Sequence, residues 1–159
     1  MAAADQRSPS HYQVRKFQLA IDLEPSVEAS ALAYISADSR FLFYCNGELI
    51  GRGPAKGDID HHFYDTFDLS PYLKPGRNVL AALVLDMSKV AHRPTDLGAP
   101  CSVMTYAGGF LLEGEIRTDA GEHVLDTGVA DWKVAVDRDY RFQNDGTRFE
   151  GYHGYFEDR

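Results

Sequence analysis

The sequence predicts an all-β fold, a sandwich of about eight to ten strands, and three observations predict it. Apolar residues recur with period two in one short run after another. Tight-turn signals such as Asn46-Gly47 and Pro75-Gly76 separate the runs and leave no helix of useful length between Tyr34 and Asp86. Nine Tyr and nine Phe in 159 residues add the aromatic bias of strands.

Element by element, Phe17, Leu19, Ile21 and Leu23 alternate with Gln18, Ala20, Asp22 and Glu24, which describes a strand with one buried and one wet face that Pro25 ends. Ala29 to Ser36 reads as a second strand and Arg40 to Cys45 as a third, apolar on both sides. Asn46-Gly47 is the strongest hairpin signal, because a type I′ turn needs positive φ at both central residues. The return strand is Glu48 to Gly51, and a loop rich in Gly, Pro and Asp runs on to about Ile59. Phe63 to Leu69 reads as the next strand, leading into one helical turn with Ser70 as N-cap and Pro71 at the first helical position.

Beyond Pro75-Gly76, Asn78 to Asp86 is a long apolar strand. It has Val79, Ala81, Leu83 and Leu85 on one face and Leu80, Ala82 and Val84 on the other, so both faces are expected to be covered. From Met87 to Ala107 the pattern dissolves into a long loop, a feature more often functional or mobile than idle in compact domains. Strand character resumes at Gly109 to Thr118, where Gly108-Gly109 marks close strand packing or a bulge. A hairpin through Asp119 to Glu122 leads to Val124-Leu125 and then to Trp132 to Val136, with Trp132 expected in the core because it alternates with Val134 and Val136.

Composition sets the outer bounds. A 44% hydrophobic content suits one domain with a real core, here residues 14–159 behind a disordered leader of residues 1–13. The net charge of -8 argues against a nucleic-acid partner, which calls for a basic patch to neutralise phosphates. No apolar run approaches the length of a membrane span, and the N-terminus lacks the apolar core of a signal peptide, so the default expectation is a cytoplasmic chain with no membrane partner. Two cysteines, Cys45 and Cys101, do not make a disulfide framework. Cys45 reads as a small buried hydrophobe, with a Cys45–Cys101 bridge as the alternative.

Each polar cluster has a chemical reading and a plainer one. Asp58, Asp60, His61 and His62 fall within five residues, but a metal site needs three or four groups converging at roughly 2.0–2.5 Å and the spacing does not fix that, so they read as a solvated loop and no metal ligand is assigned. Glu113 and Glu115 share a strand face, which is ordinarily just a strand's polar side. No catalytic residue is assigned, because there is no Gly-x-Ser-x-Gly elbow and Cys45 lies in a strand interior. Sugar binding needs an aromatic face for the apolar side of a ring and planar polar groups that fork to hydroxyls. The carbohydrate-binding candidates on that ground are Arg52, Asp58, His61, His62 and Tyr64. In the aromatic tail, Tyr152, Tyr155 and Phe156 are candidates for packing on a neighbouring domain, with a glycan site as the alternative.

The ordered motifs also carry a resemblance. Ile35 to Gly47, Gly51-Arg52-Gly53-Pro54, the Tyr64 to Val79 block, Gly108-Gly109 and Asp131-Trp132-Lys133-Val134 together resemble the N-terminal accessory β-sandwich of bacterial α-L-rhamnosidases and related glycoside hydrolases, a galactose-binding-like jelly roll. The resemblance covers roughly residues 14 to 159. It implies a non-catalytic domain whose partner is the catalytic domain of the same or a parent hydrolase, and a parent reaction that removes terminal α-L-rhamnosyl groups. It also implies that Glu150 to Arg159 is a junction into a further domain, so that the chain is a fragment of a longer protein. Related jelly rolls imply a structural calcium near the rim for Asp58 and Asp60; no other cofactor is expected. Rhamnose-containing or other glycans are further partners if the chain is instead a free-standing, lectin-like carbohydrate-binding module. A small self-sufficient glycosidase is a second alternative. The accessory reading predicts an exposed apolar patch where the partner sits.

Overall fold

The computed structural model describes residues 13–24, 29–55, 60–86, 108–143 and 156–158. The strands are β1 (Gln13–Leu23), β2 (Ser30–Asp38), β3 (Arg40–Cys45), β4 (Glu48–Gly53), β5 (Asp65–Asp68), β6 (Gly76–Asp86), β7 (Gly109–Thr118), β8 (Gly121–Val124), β9 (Lys133–Asp137), β10 (Arg141–Gln143) and β11 (Phe156–Asp158). A 3₁₀ turn at Ser70–Tyr72 is the one helical element among the described residues, none of which forms a helix long and apolar enough to cross a membrane. Nine strands make two antiparallel sheets, in the order β4-β3-β6-β1-β9 and β5-β2-β7-β8, while β10 and β11 pair with each other. The predicted sandwich is the observed one.

Alternation along each strand builds the core between the sheets. Leu19, Ile21 and Leu23 of β1, Phe41, Phe43 and Cys45 of β3, and Leu80, Ala82 and Val84 of β6 face inward from the five-stranded sheet. Ala31, Ala33, Ile35 and Ala37 of β2 with Leu112 and Ile116 of β7 meet them from the other sheet. Leu69 and Leu125, both outside strands, close the layer and are fully buried. Each large aliphatic side chain so buried contributes about 1.5–3 kcal/mol relative to exposure.

Polar groups pin the layers at their rims. Asn78 is fully buried on β6. Its amide donates to Lys74 O at 2.7 Å and Gly76 O at 2.9 Å, and its Oδ1 accepts from Lys74 N and Asn46 Nδ2, each at 2.9 Å. On β1, Arg15 pairs with Asp86 of β6 at 3.3 Å and Lys16 with Asp137 of β9 at 2.7 Å. The Asp137 carboxylate raises the Lys16 pKa by accepting its hydrogen bond, over a smaller opposing effect of burial.

Several expectations need correction. β1 starts at Gln13, four residues before the periodic run and within the expected leader. The outer face of β6 (Val79, Ala81, Leu83 and Leu85) is only half-buried, whereas Leu80, Ala82 and Val84 are fully enclosed. The strand expected from Phe63 shortens to Asp65–Asp68, because Phe63 O accepts from Ser36 Oγ at 2.7 Å instead of joining the ladder. Ser70 is not the cap of the 3₁₀ turn but its first residue. Leu69 holds the cap position without a side-chain bond, and Ser70 Oγ instead accepts from Ala31 N at 2.9 Å, tying the turn to β2. Trp132 does pack on the core, with its Nε1 donating to Leu125 O at 2.7 Å and its ring 5.8 Å from Phe110. Its alternation with Val134 and Val136 is not the reason, since both valines are exposed on the edge strand β9. Cys45 carries a free thiol, which removes the bridge alternative; Cys101 lies outside the described residues. So does the expected loop of residues 87–107.

Candidate functional site

The Gly51-Arg52-Gly53-Pro54 segment forms a corner of the sandwich. The Asn46-Gly47 turn has φ of 52° and 86°, as a type I′ hairpin requires. A regular two-residue hairpin would pair Phe41 with Arg52 and point the guanidinium into the core. The register instead shifts between Phe43 and Tyr44, so that Leu42 faces Arg52 and Phe41 faces Gly53. The extra residue, Ile50, packs against the core. The bulge therefore places Arg52 on the outer face and the two glycines on the inner face. There, glycine is demanded by contact: a Cβ on Gly51 would collide with the Phe67 ring, and one on Gly53 with the Asp65 carboxylate and the Phe41 ring.

That corner holds a cavity of about 450 Å³. Val14, Leu42, Leu83 and Leu85 supply apolar surface, Tyr140 and Pro54 further wall, and Arg40, Arg52 and Asp65 the charged groups. Both arginines are exposed at its edge, whereas Asp65 is half-buried and its Oδ2 is enclosed without a hydrogen-bond partner.

A second surface lies on the opposite outer face, that of the four-stranded sheet. Leu32 and Tyr34 of β2 stand beside Leu111 of β7 and Val124 of β8, all between 41% and 52% exposed, and Tyr64 meets Tyr34 edge-on with centroids 5.7 Å apart. Asp68, Glu113, Glu115 and Arg117 border a shallow groove of about 650 Å³ there. Glu113 and Glu115 do share this face, and Arg117 pairs with Glu115 and, at 3.7 Å, with Glu122. The Asp68 carboxyl is held below its ordinary pKa by hydrogen bonds from the Ser70 hydroxyl and backbone N–H.

The candidate sugar ligands are thus divided among separate places. Arg52 borders the corner cavity and Tyr64 belongs to the opposite face. His61 and His62 are exposed and border neither surface, and Asp58 lies outside the described residues. Among the described residues, no group of three or more His, Cys, Asp or Glu converges as a metal site. Of the expected packing residues, Phe156 opens β11 opposite Gln143, while Tyr152 and Tyr155 lie outside the described residues. Sequence reasoning missed Arg40, Asp65 and Tyr34. The first two are brought to Arg52 by the bulge, and the third carries no signal beyond its outward place on β2.

No family model matches the chain, and no curated protein matches it. Solved structures do. A GH78 family rhamnosidase of Bacillus sp. GL1 is 34% identical over 78% of this chain, with a TM-score of 0.55, and the match takes up 12% of that chain. An α-L-rhamnosidase from Aspergillus terreus matches 77% of this chain at 20% identity and TM-score 0.61, using 14% of its own length. The Pleurotus ostreatus lectin matches 77% of this chain and 29% of its own, at 22% identity and TM-score 0.54, a likeness of fold. The chain is similar to an accessory domain of α-L-rhamnosidases, and it spans about an eighth of the enzymes it matches.

Proposed function

We propose that this chain is a non-catalytic accessory domain of an α-L-rhamnosidase-like glycoside hydrolase, and that it packs on and supports the catalytic domain. The observation that carries this reading is the likeness at 34% identity to a segment forming only 12% of the Bacillus enzyme. The exposed Leu32, Tyr34, Tyr64, Leu111 and Val124 support it, being the apolar patch such a partner would cover.

The test is a chimera in which this chain replaces the matching segment of the Bacillus sp. GL1 enzyme. The chimera should express as a soluble protein and hydrolyse nitrophenyl α-L-rhamnoside, while the isolated chain should not. A chimera that never folds, from two parts that fold separately, would defeat the packing role; turnover by the isolated chain would defeat the non-catalytic one. The second reading, a free-standing lectin-like module, draws on the fold shared with the Pleurotus lectin.

A further inference from the structure

We propose that the corner cavity is a binding site for a small polyhydroxy carboxylate, a sugar acid of the uronate kind. This goes beyond the accessory role, which requires no ligand.

Three properties of the cavity converge on that chemistry. The first is cationic recognition. Arg40 on β3 and Arg52 on β4 share the outer face, and since Leu42 is the direct partner of Arg52, Arg40 is its diagonal neighbour, roughly 7–8 Å away. Neither guanidinium has a hydrogen bond or ion pair among the described residues. Two planar forks on one face of the sheet suit a carboxylate and its adjacent oxygens.

The second is an unmet acceptor. Asp65 lines the cavity, and no described group donates to its carboxylate, whose Oδ2 is enclosed against Gly53. A carboxylate in that state calls for O–H or N–H donors, and ligand hydroxyls supply them. Gly53 builds this feature into the backbone, since any side chain there would displace the Asp65 carboxylate. The third is shape. About 450 Å³ lies within the range of small-molecule pockets, and Val14, Leu42, Leu83 and Leu85 give a surface for the C–H face of a ring.

Charge decides between a neutral and an acidic sugar. Two arginines against one aspartate leave the cavity with one net positive charge in a chain of net charge -8. A neutral sugar would leave that excess unanswered, whereas a uronate answers it and still presents hydroxyls to Asp65.

The experiment is a titration of the full chain, by calorimetry or ligand-observed NMR, with D-galacturonate and D-glucuronate against D-galactose, D-glucose, L-rhamnose and acetate. One uronate should bind saturably and about tenfold more tightly than its neutral counterpart, and the binding should weaken with added salt. Arg52→Gln and Arg40→Gln, both at exposed positions, should each weaken it about tenfold. Trp132 fluorescence reports whether each variant is folded. Acetate binding as well as uronate would reveal an adventitious anion site and overturn the proposal. So would the absence of uronate binding, or uronate binding that neither arginine variant changes. If the two arginines instead engage the partner domain, the isolated chain binds no uronate and the chimera carrying Arg40→Gln and Arg52→Gln loses stability.

Discussion

The side-chain amide of Asn46, in the β3–β4 turn, donates to Oδ1 of Asn78 on β6 at 2.9 Å, and the same nitrogen reaches Tyr72 O at 2.9 Å. Asn46 Oδ1 in turn accepts from Val79 N at 3.0 Å. Two asparagines in separate motifs thus lock the hairpin, the 3₁₀ turn and the Pro75-Gly76 turn together. Asn46 is more than a turn former.

Asn78→Ala should therefore be among the most damaging single changes, costing about 3 kcal/mol, because it strands several enclosed polar groups at once. Asn46→Gly keeps the positive φ of the turn and removes only the clamp, so its cost should be nearer 1 kcal/mol. Denaturant unfolding followed through Trp132, the one tryptophan, gives both values. The double variant should lose less than the sum of the two. Strict additivity would mean that the two side chains do not share a network.

The glycines of β4 make a second prediction. Gly51→Ala and Gly53→Ala should each cost about 1–3 kcal/mol by overpacking, since the space a Cβ would need is filled by Phe67 at Gly51 and by Asp65 and Phe41 at Gly53. Phe67→Leu should relieve Gly51→Ala, whose clash is with the Phe67 ring, and leave Gly53→Ala unrelieved. Equal relief of both would contradict the separate contacts.

These contacts show what the sequence does and does not disclose. Period-two alternation in Leu19-Ala20-Ile21-Asp22-Leu23 and the Asn46-Gly47 turn state the sandwich openly, because strand periodicity and turn conformation are local properties. The corner cavity is a product of the register, and one bulge at Phe43/Tyr44 moves Arg52 from an inward to an outward position. Likewise the exposure of Val134 and Val136 follows from β9 lying at a sheet edge, which depends on pairing between distant strands. Loop proximity in sequence grouped Arg52 with Tyr64; the fold sends them to opposite faces.

Cys45 yields a third prediction. Its thiol is buried against the core, donates to Tyr72 O at 3.7 Å, and burial pushes its pKa up to about 11. About one thiol in a thousand is then ionised at pH 8, and access is blocked as well. In a Cys101→Ser background, Ellman's reagent should label native protein only as fast as it opens, and label urea-unfolded protein at once. Stoichiometric labelling within the mixing time under native conditions would place Cys45 at the surface.

The last prediction concerns acid. The Ser70 hydroxyl and backbone N–H donate to Asp68 Oδ1 at 2.6 and 2.9 Å and hold its pKa down, and the same hydroxyl accepts from Ala31 N. A carboxyl whose folded pKa is depressed stabilises the fold fully above its unfolded value of about 3.9, and that contribution fades as the pH falls through the lower folded value. Asp68→Asn keeps an acceptor for Ser70 but carries no charge, so wild type should be the more stable protein at pH 6. The gap should narrow as the pH falls below about 4, because protonation makes the aspartate equivalent to the amide. Subtracting the two urea midpoints at each pH cancels the other carboxylates, which both proteins share. A gap that persists unchanged to pH 2 would show that Asp68 acts through the shape of its hydrogen bonds and not through its charge.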